Sequence, residues 1–156
     1  TAEELVARHW LGFAAGGYVG HGETYLNDEE ILWWSKGGEL HGESPARLQF
    51  LRDIIEAVPA PGLFPVHRNS DMGRRIVDGH YNGITAGHNA DDYLLVYFWM
   101  HQQHLKEFEL PHDKSYQIDV IDTWDMKVTR FADNVSGRVK VELKRKKYMA
   151  IRIQRI

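Results

Sequence analysis

The stretch Gly16–Tyr25, GGYVGHGETY, sets His21 and Glu23 two residues apart among four glycines. Imidazole and carboxylate are the side chains most used to move protons in catalysis. If the stretch is extended, alternation sends His21 and Glu23 to the same face. If it is instead a flexible turn between two helices, the pair only hydrogen-bonds that turn. Tyr25 follows directly, and Trp33 and Trp34 stand a few residues on. Flat aromatic faces stack on sugars, so one of these Trp could floor a saccharide subsite. In the plainer reading one packs in a core and the other covers its rim.

Other motifs carry less. Glu43 precedes Ser44-Pro45, a strong helix start, and capping explains it. Arg47 and Arg52 are placed to pair along that helix. His101 and His104 stand three apart, in one helical turn or in a hairpin loop, but no HEXXH is present and no metal site is expected. Neither a GxxxxGK[ST] loop nor a GxGxxG fingerprint occurs, and a Gly-x-Ser-x-Gly elbow is also missing. No cofactor is expected. Asp122-Thr-Trp-Asp125 reads as a turn, with Trp124 plugging one end of the β-rich region or its interface with a helix.

The elements that must position these residues change character along the chain. Residues 2–15 read as a helix with Leu5, His9 and Gly12 on one face and Val6, Trp10 and Phe13 beside it. Glu3 and Glu4 suit its first turn, and Gly16 and Gly17 end it. Asn27–Glu30 looks like the start of a short helix that carries Trp33 and Trp34. Ser44–Val58 forms the next helix, with Leu48, Leu51, Ile54 and Ile55 at helical spacing, stopped by Pro59-Ala-Pro61-Gly62. Residues 59–92 show no clear period and read as an irregular crossing segment. Six strands are then expected at 93–99, 106–110, 116–122, 126–131, 138–143 and 148–153. YLLVYFW is apolar throughout, as for a strand covered on both faces. The others alternate, as in a small antiparallel sandwich.

The whole has 156 residues, 43% hydrophobic and 26% charged, which is a globular profile. The formal net charge of -3 gives no global basic field for nucleic acid. No apolar run approaches a membrane span, and no signal peptide is visible. With no Cys there is no disulfide, cysteine–zinc or thiol chemistry. The expected compartment is the cytoplasm, with secretion open to a longer parent. About 60 helix-rich residues at the N-terminus are too few for a core of their own. They must pack on the sandwich, on a partner or on a missing domain.

Taken together, HGETY, LWWSKGG, GESPAR, YLLVYF and IDTWDM resemble a family of bacterial proteins with a glycoside-hydrolase-like (β/α)8 barrel, apiosidase-like in some relatives. A C-terminal β-sandwich of unknown function follows that barrel. Related sandwiches are described as collagen-binding domains of collagenases. The resemblance implies an α+β chain: an N-terminal helical segment, remnant of the end of the barrel, plus a C-terminal antiparallel β-sandwich. Residues 1–58 would be the end of the barrel, 59–66 a linker and 67–156 the sandwich. Gly17–Thr24 would be the last barrel strand, with His21 and Glu23 at its C-terminal end, where barrel active sites sit. The substrate-binding candidates are then His21, Glu23, Tyr25, Trp33 and Trp34. Glycosidases need two carboxylates, and the resemblance supplies only Glu23 here, with about seven barrel strands absent. The chain is expected to be an inactive accessory piece whose parent binds carbohydrate. The alternatives are a carbohydrate- or polymer-binding module and a self-contained dimer that covers residues 1–58. Neither nucleic acid nor membrane is an expected partner. The family's Pro-Gly type turn before the last strand is replaced here by Lys144-Arg145-Lys146-Lys147.

Overall fold

The computed structural model describes residues 1–20, 42–76 and 84–156. Helix α1 spans Ala2–Ala14 and α2 spans Ser44–Glu56. A short strand β1, Phe64–Pro65, and a one-turn helix α3, Asp71–Arg75, follow. Seven further strands complete the chain: β2 Thr85–Asn89, β3 Tyr93–Tyr97, β4 Leu105–Leu110, β5 Tyr116–Asp122, β6 Lys127–Val135, β7 Gly137–Glu142 and β8 Met149–Arg155.

Helix α1 starts and stops where its sequence dictates. The Thr1 hydroxyl accepts the Glu4 amide at 3.2 Å. At the other end Gly16 takes φ +75°, and the Gly16 and Gly17 amides donate to the Phe13 and Gly12 carbonyls, each at 2.9 Å. That double bond is the Schellman closure, and its left-handed residue favours glycine. In α2, Ser44 is the first helical residue rather than the cap. Glu43 holds the cap position without a side-chain bond, and Pro45 lies in the first turn.

The strands form two antiparallel sheets. One has six strands in the order β1-β2-β3-β8-β5-β6, and the other is the β4–β7 pair. Strand alternation gives the large sheet two different faces. Leu94, Val96, Ile118, Ile151 and Ile153 pack against Phe108, Leu110, Val141 and Leu143 of the small sheet. Tyr93, Leu95, Tyr97 and Ile121 point the other way and pack on Val6, Trp10 and Ala14 of α1 and on Leu51 and Ile54 of α2. The chain is therefore α+β in three layers, with the large sheet in the middle. Strand β3 is buried at all five positions because it lies between both outer layers. Each large apolar side chain fully withdrawn from water here contributes about 1.5–3 kcal/mol.

The segment read as irregular in the sequence contains β1, α3 and β2. Strand β2, TAGHN, has poor intrinsic strand preference. It forms because all five of its residues pair with β3. Gly87 also fits α1 closely: a Cβ there would lie 2.3 Å from the Ala14 carbonyl oxygen. Asn89 is buried and donates to the Pro59 and Ala60 carbonyls, at 2.6 and 3.2 Å, which ties the turn after α2 to the sheet. Ser70 caps α3 by accepting the Gly73 amide at 3.0 Å.

Candidate functional site

His21, Glu23, Tyr25, Trp33 and Trp34 lie outside the described residues, as does the short helix expected from Asn27. The described chain reaches them from Val19 and Gly20 on one side and from Gly42 and Glu43 on the other. Residues 17–20 adopt no regular element.

What the structure does build beside these positions is an apolar groove of about 400 Å³ between α1 and α2. Its walls are Phe13, Val19, Leu48 and Ile55, all half-buried, with His9 in α1 and Arg52 and Glu56 in α2. This groove adjoins the face that docks on the sheet: buried Leu51 belongs to both, and Phe13, Leu48 and Ile55 pack on the edge of the same core. The Nδ1–H of buried His9 donates to the Leu5 carbonyl at 2.8 Å, which fixes that nitrogen as the protonated one. Arg52 pairs with Glu56 at 2.6 Å at the groove's rim.

Arg47 forms no ion pair along its helix among the described residues; its Nη1 donates to the Glu43 carbonyl at 2.7 Å. Its guanidinium lies 3.7 Å from the Trp124 ring centroid, and its Nε donates to the Trp124 carbonyl at 2.9 Å. Trp124 is thus the contact between the β5–β6 turn and α2. The turn itself is closed by Asp122, whose carboxylate accepts the Asp125 amide at 3.0 Å. Lys146, from the basic 144–147 loop, bridges Asp122 and Asp125 at 2.7 and 2.6 Å, and this holds the Asp125 carboxyl below its ordinary range.

The helix-facing side of the sheet also holds a buried ion cluster. Asp119 is 2% exposed and accepts from Arg130 at 2.6 Å and from Arg152 at 3.0 and 2.8 Å. All three contacts to the carboxylate run within three strands of the sheet, β5, β6 and β8, so this is a lock on strand register. Sequence alternation places Asp119 on a face opposite Ile118, but its two arginines come from distant strands. His101 and His104 lie in the connection between β3 and β4, and no group of three metal-ligating side chains exists among the described residues.

A second groove, of about 450 Å³, runs between β6 and the end of β7 and is lined mostly by polar side chains. The two-stranded sheet is too narrow to cover the whole of the six-stranded one, and β6 is left largely exposed. Nothing in the sequence singled this groove out. Its one signal was the exposed, alternating character of residues 126–131.

No helix among the described residues is long and apolar enough to cross a membrane. Residues 80–154 match a family model described as a domain of unknown function, DUF5605. No curated protein matches the chain. Among solved structures, a protein of Bacteroides vulgatus ATCC 8482 described as a "putative glycoside hydrolase" is 26% identical with a TM-score of 0.66. It is matched over 100% of this chain and 32% of its own. A protein described as a glycoside hydrolase shares the fold at 14% identity and TM-score 0.56, over 88% of this chain and 30% of its own. A glycoside hydrolase family 5 protein, also of Bacteroides vulgatus ATCC 8482, does so at 14% identity and TM-score 0.55, over 81% and 27%. The chain thus spans about a third or less of the solved proteins it matches. It is similar, over 81–100% of its length, to a minor part of proteins described as glycoside hydrolases, and its residues 80–154 match DUF5605.

Proposed function

We propose that this chain is the C-terminal part of a glycoside hydrolase, in which the two-sheet body braces the end of a (β/α)8 barrel and is not catalytic alone. One observation carries the reading: the apolar surface of α1 and α2 extends past the part that the large sheet covers. Beside that contact Phe13, Val19, Leu48 and Ile55 line an open groove. A surface helix needs one apolar stripe on its core, and apolar surface that runs on beyond it calls for a further cover. In a (β/α)8 barrel the helices form an outer ring whose inner side packs on the strands. A helix pair held between a barrel and an accessory sheet needs apolar surface for both. The similarity to about a third of glycoside hydrolase chains supports the same reading.

On this reading residues 1–58 close the barrel, 59–66 connect, and 67–156 form the brace. His21, Glu23, Tyr25, Trp33 and Trp34 then belong to a carbohydrate pocket whose remaining walls come from the rest of the barrel. Glu23 supplies one carboxylate, and glycoside hydrolysis uses a pair. The purified 156-residue chain is expected to leave aryl glycosides intact. The longer reading frame is expected to hydrolyse them, with a large loss on Glu23→Gln. Activity in the short chain, or an upstream frame too short for a barrel, overturns the proposal. Sedimentation of the short chain tests the other occupant of the groove: a stable dimer abolished by Leu48→Lys shows a second copy instead of a barrel.

A further inference from the structure

We propose that the groove between β6 and β7 binds an uncharged oligosaccharide, with Phe131 as the stacking platform. Three features of the groove point to this ligand.

The first is an aromatic ring held out of the core. Phe131 is 39% exposed although it lies within a strand. The β5–β6 register explains why: Ile118 pairs with Ala132, and Asp119 pairs with Arg130, so Phe131 is the extra residue of a bulge. Bulges re-aim a side chain and leave it unpaired. The Asp119–Arg130 ion pair, beside the bulge and on the opposite face, pins the register on which it depends.

The second is the row beside the ring. Thr129 and Lys127 face Val120 and Asp122 across the ladder and line the same groove. Strand spacing puts Lys127 roughly 13 Å from Phe131, enough for a short saccharide laid along β6. Glu142 and Lys144 from the end of β7 form the opposite wall. Hydroxyl, ammonium and carboxylate groups flanking a flat apolar ring match the amphipathic surface of a sugar.

The third is charge. The acidic lining residues Asp122, Asp125 and Glu142 are matched in number by Lys127 and Lys144 of the lining and by Lys146 beside it. Asp122 and Asp125 are already bridged by Lys146, and Arg130 by Asp119. The groove therefore has no surplus of either sign with which to select an anion or a cation.

The proposal stands on the sheets alone and does not depend on a barrel covering α1 and α2. Titration calorimetry of the full 156-residue chain tests it, using hexasaccharides of xylose, mannose, glucose and galactose at low and high salt. We expect saturable binding of at least one, with little salt dependence. Phe131→Ala should weaken it about tenfold or more, and Phe131→Trp should retain it. Phe131 is half exposed, so thermal unfolding of the Ala variant should be nearly unchanged. If that variant melts early, Lys127→Ala on the exposed strand face takes its place and should weaken binding severalfold. Absence of saturable heat with every hexasaccharide overturns the proposal. So does binding that vanishes with salt, binding untouched by the Phe131 or Lys127 change, or sedimentation showing that Phe131 serves a dimer contact.

Discussion

Trp10 is the sharpest test of the layered architecture. It is 0% exposed, and its ring stacks on Tyr97 of β3 at 5.6 Å with Phe50 of α2 6.3 Å away. Trp10→Ala would open a cavity where both helices meet the sheet. Truncating a fully buried Trp costs about 3–5 kcal/mol, and part of that is the aromatic pair itself. For a chain of this size roughly 2–4 °C of melting temperature are lost per kcal/mol, so a fall of about 6–20 °C is expected. Trp10→Phe should cost far less. The buried indole N–H has no hydrogen-bond partner among the described residues, so its loss leaves no orphaned acceptor. Phe13→Ala, one turn on and partly exposed at the groove, should cost less, about 1–2 kcal/mol, because part of its ring is already in water. Urea unfolding followed by circular dichroism compares the three directly. Equal effects of Trp10→Ala and Phe13→Ala would refute the placement of Trp10 at the buried seam and Phe13 at its open edge. A Trp10→Ala cost below about 1 kcal/mol would show that α1 is not docked on the sheet at all.

Removal of the Asp119 carboxylate should be comparably damaging. Arg152, only 16% exposed at its side chain, would be left beside Arg130 without its counter-ion. Asp119→Ala is expected to cost about 3–5 kcal/mol in denaturant unfolding, and a cost under about 1 kcal/mol would show that the cluster is not a register lock. Acid should expose the Asp91 cluster. Lys114 foremost, then Arg75 at 2.7 Å, holds the Asp91 carboxyl below its ordinary value of 3.8. A depressed carboxylate contributes stability that is present above its unfolded value and lost as pH falls through the folded one. The melting temperature should therefore drop as pH falls below about 4, and Asp91→Asn should flatten that limb. An unchanged acid limb in the variant would remove Asp91 from the account. Gly87→Ala should force β2 away from α1 and cost about 1–3 kcal/mol, read from thermal melts, whereas a neutral result would mean the two do not meet so closely.

The local elements were legible because each rests on short-range chemistry. The α1 stop at Gly16-Gly17, the Ser44-Pro45 helix start, the Asp122–Asp125 turn and the last six strands follow from caps, turn residues and period alone. The unbroken apolar run of β3 even announced that both its faces would be covered. Periodicity reports that a face is buried, however, and not what buries it. Only the fold put the helices on one side of β3 and Phe108 and Val141 on the other. Strand β2 escaped notice because TAGHN owes its conformation to pairing with β3, not to its own preference. The Asp119 lock joins residues from three strands, and the β6–β7 groove comes from a register slip and an undersized second sheet. These are long-range facts, set by which strands meet, and no window of sequence contains them.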